Sequence, residues 1–585
     1  MLTHLTVRNF KRLRQAAIPL GKSVVLIGPN NSGKTTALQA LALWDVGLRQ
    51  WNAKRGGKAS PEKRPGVTVN RRDLISIPVP QTNLLWNGLH VRNVEQEGGK
   101  TKKTQNIRID VIVQGITADK SWRCGLEFDY SNEESFVCRP VRESGYENTR
   151  VRDARFTRIP SESNSVKIAY LPPMSGLAAN EPKWEPGRVN VLLGEGQTAQ
   201  VLRNLCHQIY TRSGSNGSDE WEQLQKTISE LFGAELKAPT FIPERGEITM
   251  EYVERGVALD LSASGRGLQQ TLLLLAHLYA NPGTVLLLDE PDAHLEILRQ
   301  REIYETLTCV ADAMDSQIIA ASHSEVLLNE AGSRGLVVAF VGQPHQLNDR
   351  GSQVFKALAE IGWEQYYQAE ATGWVLYLES ASDLAILRTF AQKLDHPASE
   401  LLARPFVHYV ANLPQKARDH FYGLREAKPD LRGVALFDRI DKELHSGAPL
   451  NELMWRQNEI ENYLCTKHVL LSYAKHDQPK TDLFSLAESD KRLHAMEKAI
   501  DEVAEALDKL GKPEPWSHDI KASDDFLEPV FRSFFKKLDL PLGLRKTDYH
   551  VLAAFLDVDE IDPEVSEKLD AIAQVASAAC NPPAP

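Results

Sequence analysis

The chain has 585 residues, of which 42% are hydrophobic and 25% charged, as is typical of a folded globular protein. Its net charge of −10 argues against a protein that coats nucleic acid uniformly, although it is compatible with a local basic patch. No apolar run approaches the roughly 20 residues that cross a bilayer, and the N-terminus lacks a signal-peptide pattern. We therefore expect a cytoplasmic protein without a membrane partner, built from about three or four units.

The six cysteines are far apart and include no Cys-x-x-Cys pair. This spacing favours reduced, mostly packed thiols over a disulfide framework or a zinc site.

A strand, a glycine-rich loop and a helix follow one another between positions 21 and 41. Gly28 and Gly33 allow a tight loop whose N–H groups point at phosphate oxygens. Lys34 is spaced to reach the β- and γ-phosphates, and the Thr35 hydroxyl to hold Mg²⁺. The residues predicted to bind ATP here are Gly28, Pro29, Asn30, Asn31, Ser32, Gly33, Lys34, Thr35 and Thr36.

Positions 46–165 have poor periodicity and contain two basic stretches, 49–72 and 100–103. Strand-like segments occur at 107–113 and 122–128. We expect a partly β insertion into the surrounding domain. Its basic stretches either contact a phosphate backbone or an acidic partner, or are ordinary solvated loops.

Positions 166–280 predict a strand at 166–171, helices at 198–210 and 220–232, and a strand pair within 241–261. The apolar run at 271–280 predicts a buried helix. No heptad pattern is sustained, so we expect no long coiled-coil arm.

Two later strands end in polar residues that suit nucleotide hydrolysis. Asp289 ends a buried strand and can hold Mg²⁺, and the adjacent Glu290 can polarise the attacking water. His323 ends the next strand and can reach the γ-phosphate. Taken singly, these are also compatible with a charged strand end and a capping histidine, but their order after the phosphate loop favours catalysis.

The segment Ser264-Gly265-Arg266-Gly267 resembles the signature of ABC-type ATPases, departing from its common Leu-Ser-Gly-Gly form. The opening strand followed by Asn9-Phe10-Lys11 is similar to that of the SMC and RecF members. The resemblance implies that Ser264 and Gly265 complete the ATP site of an opposite subunit. It therefore implies at least a homodimer through the ATPase heads.

The second half begins with a strand that ends at Glu379, followed by Asp383 and a helix over 384–394. Strands at 406–410 and 433–437 follow, the latter ending at Asp438. This arrangement resembles the opening of a TOPRIM fold. Carboxylates at the ends of adjacent parallel strands meet at one sheet edge, where they can bind Mg²⁺ and activate water against a phosphodiester.

An SMC-like ATPase joined to such a domain, with the segment Glu459-Ile460-Glu461-Asn462-Tyr463-Leu464, resembles the OLD (overcoming lysogenization defect) family of ATP-dependent nucleases, to which Gabija-type anti-phage proteins belong. It is also similar to PARIS anti-phage systems. By this resemblance Glu379 is a metal ligand and candidate base. The predicted metal ligands are Thr35 and Asp289 in the ATPase, and Glu379, Asp383, Asp438, Asp441, Glu459 and Glu461 in the second half.

Two departures bear on cleavage activity. Ser380 stands where the family has a glycine, and Ile440 stands at the second acid of the usual Asp-x-Asp. Asp441 is a candidate substitute, although its side chain would point differently. A degenerate, non-cleaving site therefore stays open as an alternative.

The expected fold class is α/β, in four parts. An ABC/SMC-like P-loop ATPase covers 1–345, with the insertion at 46–165. A linker at 346–373 leads to a TOPRIM-like domain at 374–480 and a C-terminal helical region at 481–585. The Ala/Pro-rich positions 571–585 are expected to fray.

The leading hypothesis is a nuclease of bacterial anti-phage defence, in which an ATPase dimer controls a Mg²⁺-dependent TOPRIM site acting on DNA or RNA. A phage protein or a companion defence protein is a candidate trigger or partner. The alternative is an ATP-dependent sensor or scaffold that acts through a partner. A DNA-repair ATPase of the SMC/RecF kind is a third possibility, against which the TOPRIM module and the absent arms count.

Overall fold

The structure is a computed structural model that describes residues 1–55, 66–97, 101–145, 155–212, 219–347, 361–476 and 483–580. Contacts divide the chain into two compact units, Met1–Ser352 and Gln353–Pro585. Each combines helices with strands, so the expected α/β class is confirmed. Part of the basic stretch at 49–72, Lys100, positions 348–360 of the expected linker and positions 581–585 of the expected frayed end lie outside the described residues. Within the described residues no helix is long and apolar enough to span a membrane.

The first unit contains 19 strands in the described ranges. They are β1 (Leu2–Phe10), β2 (Leu13–Pro19), β3 (Ser23–Ile27), β4 (Val67–Asn70), β5 (Arg92–Glu97), β6 (Thr101–Asn106), β7 (Ile109–Thr117), β8 (Lys120–Asn132), β9 (Ser135–Pro140), β10 (Ile168–Leu171), β11 (Glu235–Leu236), β12 (Thr240–Ile242), β13 (Glu247–Thr249), β14 (Glu251–Glu254), β15 (Val257–Asp260), β16 (Val285–Asp289), β17 (Gln317–Ser322), β18 (Leu336–Ala339) and β19 (His345–Gln346).

The helices of this unit connect and cover the strands. They are α1 (Lys34–Arg55), α2 (Pro186–Gly194), α3 (Leu202–Thr211), α4 (Asp219–Phe232), α5 (Arg266–Ala280), α6 (Ile297–Ala313) and α7 (Glu325–Arg334). The predicted buried helix at 271–280 lies inside α5, which is apolar along most of its length and buried.

A mostly parallel sheet in the order β10-β16-β17-β3-β18-β19 forms the centre of the first unit. Only β19 runs antiparallel, beside β18. Strands β3, β16 and β17 are short apolar runs that are buried along nearly their whole length, as expected for a sheet covered on both faces. Since these strands are parallel, their carboxyl ends lie at one edge.

The region expected to be an insertion forms a second sheet together with the N-terminus. Its order is β2-β1-β7-β8-β9-β4, and β1 pairs antiparallel with both β2 and β7. Helix α1 also continues through Arg55, past the predicted start of the insertion. The interpretation of 46–165 as an inserted segment is therefore corrected: its strands complete a sheet that the first 19 residues begin, and the two sheets share one apolar core around α1.

The second unit has four described strands, β20 (Trp374–Leu378), β21 (Val407–Tyr409), β22 (Arg432–Phe437) and β23 (Leu450–Met454), all parallel in the order β21-β20-β22-β23. Its described helices are α8 (Trp363–Thr372), α9 (Ala381–Lys393), α10 (Ala398–Ala403), α11 (Pro414–Ala427), α12 (Lys467–His476), α13 (Leu483–Lys509), α14 (Glu528–Lys537) and α15 (Pro563–Cys580).

Two expectations for this unit need correction. The range 363–372, expected to be linker, is helix α8, whose Trp363 and Tyr366 are buried. The range 571–580, expected to fray, belongs to α15, where Ile572 and Ala576 are fully buried. Residues of the sheet and of the C-terminal helices form one apolar core, so the two parts of this unit are not packed separately.

His277 in α5 offers a test of this packing. Its side chain is 2% exposed, and neither ring nitrogen has a hydrogen-bond partner among the described residues. Burial lowers the pKa of His277 to about 4. The folded state therefore holds the neutral ring, whereas the unfolded chain binds a proton below about pH 6.5.

We expect His277→Leu to raise the thermal unfolding midpoint by a few degrees at pH 7.5, because an unpaired buried polar group costs about 1–3 kcal/mol. The gain should grow as the pH falls from about 6.5 towards 4, by at most about 1.4 kcal/mol per pH unit. Differential scanning fluorimetry across this range checks it, with the exposed His494→Leu as control. An unchanged pH dependence would contradict it.

Candidate nucleotide and metal sites

The loop between β3 and α1 has the conformation expected of a phosphate-binding loop. Gly28 and Gly33 have φ angles of +155° and +108°. A Cβ at Gly28 would lie 2.7 Å from the carbonyl oxygen of Phe340, so the backbone approach itself requires glycine. Lys34 begins α1, and its Nζ donates to the carbonyl oxygens of Gly28 and Pro29 at 2.7 and 3.0 Å.

Several features of this loop fit a triphosphate. Ser32 Oγ is buried and has no partner among the described residues, which leaves a donor available beside the loop. Burial lowers the pKa of Lys34, while the charges of Glu290 and Asp289 act in the opposite direction. The exposed Pro29, Asn30, Asn31 and Thr35 form the outer face of the loop. MgATP would supply phosphate oxygens that accept hydrogen bonds from these donors, together with its cation.

Asp289, at the end of β16, is held by two hydroxyl groups. Thr35 Oγ1 donates to its Oδ1 at 2.9 Å and Tyr170 OH donates to its Oδ2 at 3.2 Å. Burial raises the pKa of Asp289, and these hydrogen bonds oppose the rise. The structure thus joins the two predicted metal ligands of the ATPase. Tyr170 was not predicted, since its only sequence signal is its place in β10, the strand beside β16.

Glu290 and His323 follow neighbouring parallel strands at the same edge. The Glu290 N–H donates to the carbonyl oxygen of Ala321 at 2.8 Å, and Glu290 has a φ of +51°, so the chain turns sharply there. His323 follows β17 and is exposed. Because β17 lies between β16 and β3, both residues sit at the edge that carries the phosphate loop.

The predicted signature stands at the start of α5. Ser264 Oγ donates to the carbonyl oxygen of Leu261 at 2.7 Å, and no hydrogen bond within the described residues joins Ser264 or Gly265 to the phosphate loop. Gly265 is exposed, and a Cβ there would meet no atom within 4 Å. Gly265 is therefore accessible to another molecule, whereas Ser264 is buried.

The second unit brings most of its predicted acids together at the carboxyl edge of its sheet. Glu379 follows β20 and Asp438 follows β22, the adjacent strand. Asn412 Nδ2 donates to Glu379 Oε2 at 2.8 Å and to Asp438 Oδ2 at 3.0 Å. Burial raises the pKa of Asp438 well above its usual value, and the hydrogen bond and charge of Glu379 raise it further. Sequence reasoning missed Asn412, which lies in no motif.

Asp383 supports this pair from the first turn of α9. Its Oδ2 accepts the N–H of Glu379 at 3.1 Å, and its Oδ1 accepts the Ser380 hydroxyl at 2.8 Å. Ser380 has a φ of −151°, an extended conformation open to any residue. The departure from glycine at Ser380 therefore carries no backbone strain, and its hydroxyl holds Asp383.

Glu459 and Glu461 approach the same cluster from the short helix Ile460–Leu464. Glu459 Oε1 accepts the N–H of Ser523. Burial raises the pKa of Glu461 to about 8, and the nearby charges of Glu459 and Asp383 add to the rise. Two lysines from the C-terminal region, Lys521 and Lys546, also lie close enough for their charges to act on Glu459. Neither lysine was predicted, because neither belongs to a motif.

Asp441 is exposed beyond β22 and makes no hydrogen bond or ion pair with these acids within the described residues. The structure therefore does not join this predicted ligand to the cluster. In the described parts of the chain, one group of three metal-ligand side chains has its ligand atoms within 4.8 Å of one another: His468, Asp557 and Glu560, all exposed. Within the described residues, no three of the acids around Glu379 meet this spacing. Their buried oxygen donors are nevertheless the kind that Mg²⁺ prefers.

Comparisons with known proteins agree with this reading of the first unit. Residues 1–46 match the family model "AAA ATPase domain", and residues 124–329 match "AAA domain, putative AbiEii toxin, Type IV TA system". The chain is 24% identical over 362 residues to an OLD nuclease of Thermus scotoductus, a match that covers 56% of this chain and 59% of the relative. The chain thus spans about three fifths of that relative.

Two further similarities are weaker. The DNA replication and repair protein RecF of Caulobacter vibrioides is 22% identical over 392 residues, covering 58% of this chain and 95% of that protein. The SMC head domain from Thermotoga maritima is 14% identical, covers 59% of this chain and 99% of its own, and has a TM-score of 0.31. Two segments of the first unit thus match ATPase family models, and the chain is similar to an OLD nuclease over part of its length, as expected from the sequence.

Tyr170 provides a test of the nucleotide site. We expect Tyr170→Phe to raise the Mg²⁺ concentration that half-saturates ATP hydrolysis by about 10-fold, because loss of a residue that orients a metal ligand typically costs 10–100-fold. The assay is steady-state hydrolysis under Mg²⁺ titration. Tyr304→Phe is the matched control, since Tyr304 is a buried tyrosine whose hydroxyl instead contacts Ser23 Oγ at 3.1 Å. Equal Mg²⁺ midpoints for wild type and Tyr170→Phe would contradict the assignment.

Proposed function

We propose that this protein is an ATP-dependent nuclease of bacterial anti-phage defence, in which nucleotide binding by the first unit controls a Mg²⁺-dependent acid site in the second. The observation that carries the proposal is the pairing of Glu379 with Asp438 through Asn412, with Asp383 directly behind Glu379. The similarity to an OLD nuclease supports it.

In this proposal Glu379 and Asp438 hold the cation, with Asp383 orienting Glu379 and the buried Glu461 adding negative charge nearby. Mg²⁺ would stabilise the charge that develops on a phosphodiester and activate water. Lys521 and Lys546 are exposed lysines beside these acids. Both form ion pairs with Asp524, and a nucleic-acid backbone would compete with Asp524 for their positive charge. The substrate is DNA or RNA.

The test is nicking of supercoiled plasmid and cleavage of single-stranded RNA by the purified protein with ATP and either Mg²⁺ or Mn²⁺. Glu379→Ala should abolish cleavage and phage protection and leave ATP hydrolysis intact. Glu290→Gln should abolish hydrolysis. Glu364→Ala, an exposed carboxylate on α8, is the matched control. Cleavage that persists in Glu379→Ala would refute the acid site.

We also propose that two copies share their ATP sites, each presenting Ser264 and Gly265 to the nucleotide of the other. The support is the open space at Gly265, together with the lack of any hydrogen bond, within the described residues, between this helix start and the phosphate loop of its own chain. The N-terminus of α5 would direct its free N–H groups at the γ-phosphate.

Gly265→Asp tests the shared site. The open space around Gly265 and its extended φ of −63° admit the new side chain, and aspartate is a favourable residue before a helix. We expect at least about a tenfold fall in ATP hydrolysis, because a carboxylate would face the γ-phosphate. Equal mixing with inactive Lys34→Met should restore about a quarter of the wild-type rate through mixed dimers. A wild-type rate for Gly265→Asp would contradict the shared site.

The second candidate function is an ATP-dependent sensor or scaffold that acts through a partner without cutting. Two observations favour it. Asp441 is exposed and apart from the acid cluster, and no three of the remaining acids have ligand atoms within 4.8 Å of one another in the described residues. Absence of cleavage under all the conditions above, together with retained phage protection in Glu379→Ala, would support it.

A further inference from the structure

The turn after β21 has an unusual backbone. Ala411 and Asn412 have φ angles of +50° and +56°, so two successive residues with side chains are left-handed. Each such residue costs roughly 1 kcal/mol or more, least for asparagine. The turn is nevertheless tied down, because the Ala411 N–H donates to the carbonyl oxygen of Glu379 at 3.3 Å and the Leu413 N–H to that of Val410 at 3.1 Å. Helix α11 begins directly afterwards, at Pro414.

This turn directs the Asn412 amide between two carboxylates. Its Nδ2 donates to Glu379 Oε2 at 2.8 Å and to Asp438 Oδ2 at 3.0 Å. Its Oδ1 accepts the N–H of Asp438 at 3.0 Å. The last contact fixes which end of the amide is oxygen and therefore which end donates. Both N–H groups of the amide are thus committed to the acid pair.

The acid pair needs such a donor. Glu379 and Asp438 follow adjacent parallel strands, which places two carboxyl groups side by side in a partly buried position. If both ionise without a cation, their repulsion drives the side chains apart. A single amide that donates to one oxygen of each carboxylate offsets the repulsion and sets the distance between them.

We propose that Asn412 is the positioning residue that sets the spacing of Glu379 and Asp438 for a divalent cation, and that the left-handed turn exists to present it. The inference rests on the proposed function, because it assumes that these acids bind metal. Residues that orient metal ligands in this way typically contribute 10–100-fold to metal affinity. The inference gives a role to an asparagine outside every recognised motif.

The principal variant is Asn412→Gly, in the full-length protein. Glycine keeps the left-handed backbone without strain and removes only the amide. Mn²⁺ binding is measured by isothermal titration calorimetry without nucleotide, with Glu379→Ala defining the signal of this site. We expect Asn412→Gly to weaken that binding by 10–100-fold. Ala411→Gly is the matched control, since it relaxes the same turn and leaves the amide, and it should bind like wild type.

Asn412→Asp provides a second readout. It has the same shape and also tolerates a left-handed conformation, but it replaces the two donors by a third carboxyl group. We expect a lower unfolding temperature than wild type without metal, and a larger rise than wild type on addition of Mn²⁺. A structural role of the turn alone would give neither change.

The outcomes separate the two proposals. If wild type binds Mn²⁺, Glu379→Ala does not, and Asn412→Gly binds like wild type, the positioning role is overturned and the proposed metal site stands. If Glu379→Ala leaves Mn²⁺ binding unchanged, the proposed metal site itself fails. Weakened binding in Asn412→Gly with unchanged binding in Ala411→Gly supports the positioning role.

Discussion

A carboxylate that is taken out of water must be compensated by donors or by a cation, and both candidate sites are organised around this requirement. In the first unit Asp289 is buried and is held by the hydroxyls of Thr35 and Tyr170. In the second unit Glu379 and Asp438 are held by one amide. Each set of donors comes from a neighbouring strand or from the phosphate loop, so the parallel order of the strands brings acid and donor together.

The same requirement explains why the two sites differ in the hydrogen-bond donors that they leave available to a ligand. The nucleotide loop exposes its outer residues, and the buried Ser32 hydroxyl has no hydrogen-bond partner within the described residues. This hydroxyl is therefore available to donate to a phosphate oxygen. The acid edge of the second unit has its nearest donors already committed to carboxylates. A cation that binds there would join carboxylates that are already hydrogen-bonded. A nucleotide would instead meet a donor that is still available in the phosphate loop.

The motifs predicted which strands end in candidate site residues. A phosphate loop, an Asp-Glu pair after an apolar run and a Glu before a helix each combine a local pattern with a strand end. Sheet order brings the first two to one edge in the first unit, and it brings Glu379 beside Asp438 in the second. The sequence could not reveal Asn412, Tyr170 or Lys521, because their roles depend on contacts with residues far away in the chain. It also misassigned 46–165, since pairing between β1 and β7 joins segments about 100 residues apart. Asp441 shows the converse. Its position after Asp438 predicted a metal ligand, but its side chain is exposed.

The last hundred residues contain no motif, yet they supply hydrogen-bond partners to the segment that carries Glu459 and Glu461. Ser523 donates to Glu459, the carbonyl oxygen of Ile520 accepts from Asn462 at 3.0 Å, and Tyr463 donates to Glu564. Helices α13 to α15 also cover the apolar face of the sheet. A fragment trimmed where the recognisable family pattern stops would leave these partners behind and expose that face to water. The position at which the recognisable motifs end is therefore not the position at which the packed unit ends.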